Sequence, residues 1–154
     1  MILAILASNS SYLKSASINA LARIFWQKRA SGDSHLQKLL SETSSVILLL
    51  LKENNKEITK SIFLFVRVLL YLNKNLFSSH QETSAFISRI LTAIFNDSNE
   101  DIKKEFKVKI RNLLKNLIIK FSYEEMRNLV PKDLEHLLAY INICLHNSCQ
   151  HKSQ

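Results

Sequence analysis

Residues 57–75 read EITKSIFLFVRVLLYLNKN, and their apolar side chains recur at intervals of three and four residues. The members of this apolar stripe are Ile58, Ile62, Phe65, Val66, Leu69 and Leu72. Because successive residues of an α-helix turn by about 100°, this spacing places the stripe on one face. The stretch therefore predicts a helix that buries one side and exposes the other.

The same periodicity continues in both directions, and no long segment alternates strictly as a half-buried strand does. It predicts helices over about 12–29, 34–52, 57–75 and 100–121, a fourth helix around 86–95, a short sixth helix after Ser122, and a final helix. Capping and turn residues separate these segments. They are Gly32 with Asp33 or Ser34, Asn54-Asn55, Ser78 or Ser79, Ser98 with Asp101, Ser122 with Glu125, and Pro131 as the first residue of the final helix. The fold class predicted is all-α.

A loose internal repeat accompanies the helices. The apolar set Ile18, Leu21, Ala22, Phe25 reappears 44 residues later as Ile62, Phe65, Val66, Leu69. It returns 48 residues further on as Ile110, Leu113, Leu114, Leu117. Helix pairs recurring every 40–47 residues or so are typical of HEAT and armadillo solenoids. An ordinary helical bundle is the alternative, because any two amphipathic helices match at four positions.

Composition excludes several classes of enzyme. The 154 residues contain one glycine, Gly32, and one proline, Pro131. Phosphate-binding loops, dinucleotide fingerprints and nucleophile elbows need more glycine than this. The two cysteines give no disulfide framework, and no apolar run approaches the roughly 20 residues of a membrane span. We expect a soluble, intracellular, non-enzymatic protein without a cofactor.

The predicted fifth helix carries the best candidate site. Between Glu100 and Phe121, seven basic residues oppose three acidic ones, a balance of +4 within a whole-chain net charge of +8. Four of the basic residues are spaced four apart and share a stripe. The residues predicted to bind RNA or an acidic partner are Lys103, Lys107, Lys109, Arg111 and Lys115. The alternative is a solvated helix face.

Three weaker candidates each have a simpler explanation. A second basic stripe straddles a predicted turn, where lysines commonly serve solubility. Two aromatic residues are possible stacking platforms, although aromatic residues at helical spacing are more often core. A C-terminal group of possible zinc ligands lacks the usual paired spacing, so buried cysteine at a frayed end explains it better. The second basic stripe consists of Lys52, Lys56, Lys60 and Arg67. The aromatic residues are Trp26 and Tyr71. The possible zinc ligands are Cys144, His146, Cys149 and His151.

Several stretches resemble the C-terminal region of ribosomal RNA processing protein 12. The segment 106–121, FKVKIRNLLKNLIIKF, is similar to that family's basic helix. The following FSYEE (121–125) and PKDLEHLL (131–138) resemble its Phe-Gly-Tyr-Glu turn and its Pro-acid-x-x-x-Leu-Leu segment. Upstream, residues 57–68 resemble another helix of the family, and residues 15–24 resemble the helix one repeat before it. The series is collinear over most of the chain.

This resemblance implies a nuclear and nucleolar HEAT-repeat scaffold that acts in pre-rRNA processing, assembly and export of the small ribosomal subunit. Its implied partners are pre-rRNA or the pre-ribosomal particle and assembly and transport proteins, with no membrane or small-molecule substrate. The chain differs in having Leu64 and Ser122 where the family has helix glycines. Its residues 141–147, INICLHN, are nearly uncharged, whereas the family continues past the last helix into a basic tail. We interpret residues 1–154 as one HEAT-like solenoid domain, a C-terminal piece of a longer scaffold. The alternative is a karyopherin-like transport adaptor that binds only proteins.

Overall fold

The computed structural model describes residues 9–28, 34–76 and 80–152 and contains no strand within these ranges, which confirms the all-α prediction. The helices are α1 (Ser11–Gln27), α2 (Ser34–Leu49), α3 (Lys56–Leu76), α4 (His80–Thr92), α5 (Glu100–Glu105), α6 (Lys107–Phe121), α7 (Tyr123–Leu129) and α8 (Glu135–Lys152). Short 3-10 turns cover Leu50–Glu53 and Lys132–Leu134, and a π-helical turn covers Ala93–Asp97. The apolar segment Met1–Ala7 and the predicted caps at Gly32, Asp33, Ser78 and Ser79 lie outside the described residues.

Side-chain caps begin several of these helices. The Ser122 hydroxyl accepts a hydrogen bond from the Glu125 backbone N–H at 3.5 Å, so Ser122 is the N-cap that the sequence predicts for α7. The predicted cap of the fifth helix, Ser98, is wrong by one residue. The side chain of Asn99 accepts from the Ile102 N–H at 2.9 Å and caps α5 instead. Asn is as good a cap as Ser, so the pattern alone does not distinguish them.

The predicted single helix over 100–121 is broken at Phe106. This residue has φ −96° and ψ 14°, and it ends α5 and precedes α6. Its ring stacks on Phe63 of α3, with centroids 5.6 Å apart and planes 11° from parallel. Pro131 likewise does not start the last helix. Its extended backbone (ψ 148°) precedes a 3-10 turn, and α8 begins only at Glu135.

The core is formed by the predicted apolar stripes. All three quartets of the internal repeat are buried: Ile18, Leu21, Ala22, Phe25; Ile62, Phe65, Val66, Leu69; and Ile110, Leu113, Leu114, Leu117. The exposed residues of each helix lie between the stripe positions, as the helical period requires. No helix in the ranges described is long and apolar enough to cross a membrane.

Helices α1 and α3 pack side by side and run parallel. Near their N-terminal ends the hydroxyls of Ser15 and Ser61, 46 residues apart in sequence, lie at 2.6 Å. Further along both helices, near the end of α1 and at the middle of α3, the rings of Phe25 and Phe65 meet edge to face at 6.0 Å. Contacts that advance together along both helices show that α1 and α3 run in the same direction, so α2 returns the chain between them.

Contacts between α2 and α4, and between the turns that follow these helices, join residues at a similar separation in sequence. Arg89 of α4 donates to the Ser45 hydroxyl of α2 at 2.6 Å, across 44 residues. The Asn99 N–H donates to the Asn54 side-chain oxygen at 2.7 Å, across 45 residues. These separations are close to the 44 and 48 residues that relate the apolar quartets in the sequence.

Candidate nucleic-acid interface

A groove of about 570 Å³ runs across the exposed sides of α1, α3 and α6. Its lining includes four basic side chains and one acidic one, Glu57, which leaves it electropositive. The basic side chains are Lys60 and Arg67 of α3, with Lys109 and Lys115 of α6. A concave surface lined by one sign of charge concentrates the opposite charge, so the groove favours an anionic ligand.

The α3 wall of the groove follows from the helical period. Lys60, Leu64, Arg67 and Tyr71 are spaced four, three and four residues apart, and all four are exposed. They lie together because the buried stripe of the same helix, which includes Ile62 and the other members of its apolar quartet, occupies the opposite face. Two cations therefore project from one side of α3 at a spacing of two turns.

The α6 wall combines two lysines with two amides. Lys109, Asn112 and Asn116 lie within about 60° of one another around the helix axis, and all three line the groove. The Lys109 ammonium lies 5.3 Å from the centroid of the Phe106 ring, a cation–π contact that holds the lysine at the start of α6. The break at Phe106 thus helps to place Lys109.

The basic residues predicted on the fifth helix are divided by the fold. Lys109 and Lys115 line the groove, whereas Lys107 and Arg111 are exposed about 160° around α6 from Lys109. Lys103 lies on α5, beyond the break, and pairs with Glu100 at 3.4 Å.

The weaker basic stripe is divided in the same way. Lys60 and Arg67 line the groove. Lys56 pairs with Glu105 at 2.6 Å, and this hydrogen bond and the carboxylate charge raise the pKa of the Lys56 ammonium. Lys52 is exposed and does not line the groove. The structure therefore joins two of the five basic residues predicted on the fifth helix with two of the four in the weaker stripe.

The four groove cations have no ion pair with any described carboxylate, unlike Lys14, Lys56 and Lys103. The Lys14–Glu53 pair shows the contrast, because Lys14 is only 11% exposed and its charge is matched by the carboxylate. Exposed cations without a carboxylate partner can accept phosphate without first breaking an internal pair.

The α1 wall contributes an unsatisfied acceptor. Asn19 lines the groove, and its Oδ1 atom is buried with no hydrogen-bond partner in the described part of the chain. Leaving such an atom unpaired costs about 1–3 kcal/mol. An N–H or O–H donor of a ligand in the groove would recover part of that energy.

Trp26 and Tyr71, two separate aromatic candidates in the sequence, meet in the structure. Their ring centroids are 5.2 Å apart and tilted by 51°. Tyr71 is 74% exposed and Trp26 is 39% exposed, so the interpretation of both as core residues is wrong. Tyr71 lies four residues after Arg67, and this spacing in the sequence could have identified it as part of the exposed face of α3.

The C-terminal cysteines do not form a buried cluster. Cys144 and Cys149 are both exposed, so the expectation of buried cysteine is wrong. Among the side chains that the structure describes, no three His, Cys, Asp or Glu residues are placed to hold a metal ion. This leaves the groove as the strongest candidate site.

Comparisons with known proteins give a distant likeness. No protein-family model matches the chain. The chain is similar to an RRP12-like protein of Gallus gallus, with 27% identity over 128 residues, and to an RRP12-like protein of Homo sapiens, with 26% identity over 128 residues. The aligned region covers 82% of this chain but only 9% of either relative. The likeness thus supports, at most, a distant relationship to a short segment of much longer proteins.

Proposed function

We propose that this chain is a non-catalytic binding module in ribosome biogenesis and that its groove binds pre-rRNA. The observation that carries the proposal is the cluster of Lys60, Arg67, Lys109 and Lys115, which lines one recess and forms no ion pair with a carboxylate in the described ranges. The similarity to RRP12-like proteins, together with the resemblance to ribosomal RNA processing protein 12, provides the biological setting. Nuclear and nucleolar location is part of the same proposal.

The architecture that we propose is a HEAT-type α-solenoid. Parallel packing of α1 on α3, with contacts at a nearly constant sequence offset, supports stacked helix pairs. In a stack, the first helices of successive pairs line one continuous surface, and grooves form between them. The groove crosses α1, α3 and α6, the three helices that carry the repeated apolar quartet.

RNA is favoured because its phosphates carry the charge opposite to that of the groove. Lys60 and Arg67 lie seven residues apart on α3, about 10 Å along the helix axis. The cluster of four cations is wide enough to meet several phosphates of one strand. Each phosphate that a cation neutralises releases counterions, which makes binding salt-dependent. For four contacts with a single strand we expect log K to fall with log salt at a slope of about −3.

The experiment compares two variants with identical changes in charge. The groove variant carries Lys60→Gln, Arg67→Gln, Lys109→Gln and Lys115→Gln. The matched control carries Lys103→Gln, Lys104→Gln, Lys107→Gln and Arg111→Gln, which also removes three lysines and one arginine from exposed or half-buried positions. Binding of both variants and of the unmodified chain to a labelled pre-rRNA fragment is measured by fluorescence anisotropy, between about 50 and 200 mM salt. Circular dichroism establishes that all three are folded.

We expect the unmodified chain to bind RNA and the groove variant to lose about three units of salt slope, while the control loses much less. Equal losses in the two variants would show that net charge, and not the groove, determines binding. Absence of RNA binding, together with nuclease-resistant capture of a defined assembly or transport protein, would overturn the proposal in favour of a protein-binding adaptor.

A further inference from the structure

We infer that the groove continues into the Trp26–Tyr71 pair and that the whole surface binds single-stranded RNA, with one base stacked on the Tyr71 ring. This inference rests on the proposed function and names the kind of RNA that the site takes. It is carried by the junction of an electropositive groove and an exposed aromatic pair on the same helices.

The two aromatic rings lie at the same end of the groove. Tyr71 follows the groove residue Arg67 by about one turn of α3, and Trp26 follows the groove residue Asn19 by about two turns of α1. Since α1 and α3 are parallel, both rings project at the C-terminal ends of these helices, where they contact each other. From Lys60 to Tyr71 the surface extends about 16 Å along α3.

The Tyr71 ring has the properties of a stacking platform. It is 74% exposed, so it contributes little to the core, and it is oriented by its contact with Trp26. Aromatic faces that alternate with cations are the usual means by which proteins hold unpaired bases and their phosphates together. Arg67, one turn away, is placed to meet a phosphate next to the stacked base.

A duplex does not fit these features. Its bases are already stacked and paired, so they cannot lie on Tyr71 without unpairing. The walls of the groove instead offer amides, from Asn19, Asn112 and Asn116, which can hydrogen-bond the exposed edges of unpaired bases. The buried Asn19 Oδ1, which has no partner among the described residues, can accept from a base amino or imino group. These groups favour a single strand over a duplex.

The test uses the full chain and two RNA probes with equal numbers of phosphates. One is a single-stranded oligonucleotide of U and C, about 12 nucleotides long, and the other is a hairpin of the same length in which every base outside the closing loop is paired. Tyr71→Leu removes the ring, Tyr71→Phe keeps it, and Tyr140→Leu is the matched control because Tyr140 is 56% exposed on α8 and does not line the groove. Trp26 is the only tryptophan of the chain, so quenching of its fluorescence reports on this site directly.

We expect the single strand to bind more tightly than the hairpin and to quench Trp26. Tyr71→Leu should weaken single-strand binding about five- to 150-fold and leave hairpin binding unchanged, while Tyr71→Phe and Tyr140→Leu bind as the unmodified chain does. Unchanged binding by Tyr71→Leu, alongside a loss in the groove variant, would overturn the stacking site but leave the proposed function standing. Equal affinity and equal quenching with the hairpin would also overturn it. If the unmodified chain bound neither RNA, both proposals would fail.

Discussion

Replacing Ser122 by glycine is expected to stabilise the protein by about 1 kcal/mol. Ser122 is the one residue between α6 and α7, and it turns the chain with φ 81° and ψ 156°. A side chain with a Cβ atom populates this region sparsely, at a cost of about 1–3 kcal/mol, whereas glycine enters it readily. The family that the sequence resembles has glycine at this position.

Two smaller effects oppose this gain. Glycine is a slightly weaker N-cap than serine, by a few tenths of a kcal/mol, and the hydroxyl bond to Glu125 is already long at 3.5 Å. Glycine also adds about 0.4–1 kcal/mol of conformational freedom to the unfolded chain. The relief of strain exceeds both effects, so we expect the thermal midpoint to rise by about 2–4 °C.

The assay is urea unfolding followed by far-ultraviolet circular dichroism and by Trp26 fluorescence. Ser122→Ala is the control, because it keeps the Cβ atom at positive φ and removes the capping hydroxyl. It should destabilise the protein by about 0.5–1 kcal/mol. The two substitutions are therefore expected to act in opposite directions. A similar loss of stability in both would refute the strain argument and would show that the hydroxyl cap dominates at this turn.

Three further predictions concern the packing between helix pairs. Phe25→Ala should lower the free energy of unfolding by about 3–5 kcal/mol in urea titrations, because Phe25 is only 1% exposed; a loss below about 1 kcal/mol would contradict its central place in the core. Asn54→Ala should lower the free energy of unfolding, measured by thermal unfolding, by about 2–3 kcal/mol, and Asn54→Gly should lower it by about 1 kcal/mol. Both variants lose the hydrogen bond from the Asn99 N–H, but only alanine keeps a Cβ atom at φ 51°, where it is strained. Equal costs would argue against strain there. For Lys56, Glu105 raises the ammonium pKa above 10.5, so this pair contributes its full stability below pH 10.5 and loses it as the pH rises through the folded-state pKa. The stability difference between Lys56→Gln and the unmodified chain should therefore shrink above that pH, and a difference that grew with pH would contradict the assignment.

Helix positions and burial could be predicted from the sequence because both depend on the local period. The quartet at Ile62 is buried as its spacing requires, and Ser122 caps α7 as its neighbour Glu125 indicates. The helix break at Phe106 could not be predicted, because nothing in the sequence beside it disrupts a helix. Its ring contacts Phe63, which belongs to a different helix, and this contact exists only in the folded chain.

The candidate site was predictable only in part. The sequence identified basic residues on α6 and a weaker set before and along α3, and it proposed Lys103, Lys107 and Arg111 together with Lys109 and Lys115. The structure gathers the last two with cations of α3 and places the other three away from the groove. Lys103 is separated from the others by the break at Phe106. Lys107 and Arg111 share α6 with Lys115, but a four-residue spacing drifts by about 40° per step around the helix, and only Lys115 of the four reaches the groove.

The amino-acid sequence by itself determined that this protein is all-α, which face of each helix is buried, and that similar helix pairs recur at about the same interval. These properties follow from a turn of about 100° per residue, which relates neighbours along the chain. The tertiary structure alone decided that Lys60 and Arg67 face Lys109 and Lys115 across a groove, and that Trp26 meets Tyr71. Such meetings depend on how neighbouring helices are placed relative to one another. That placement is set by the packing of side chains from distant segments, which no local pattern records.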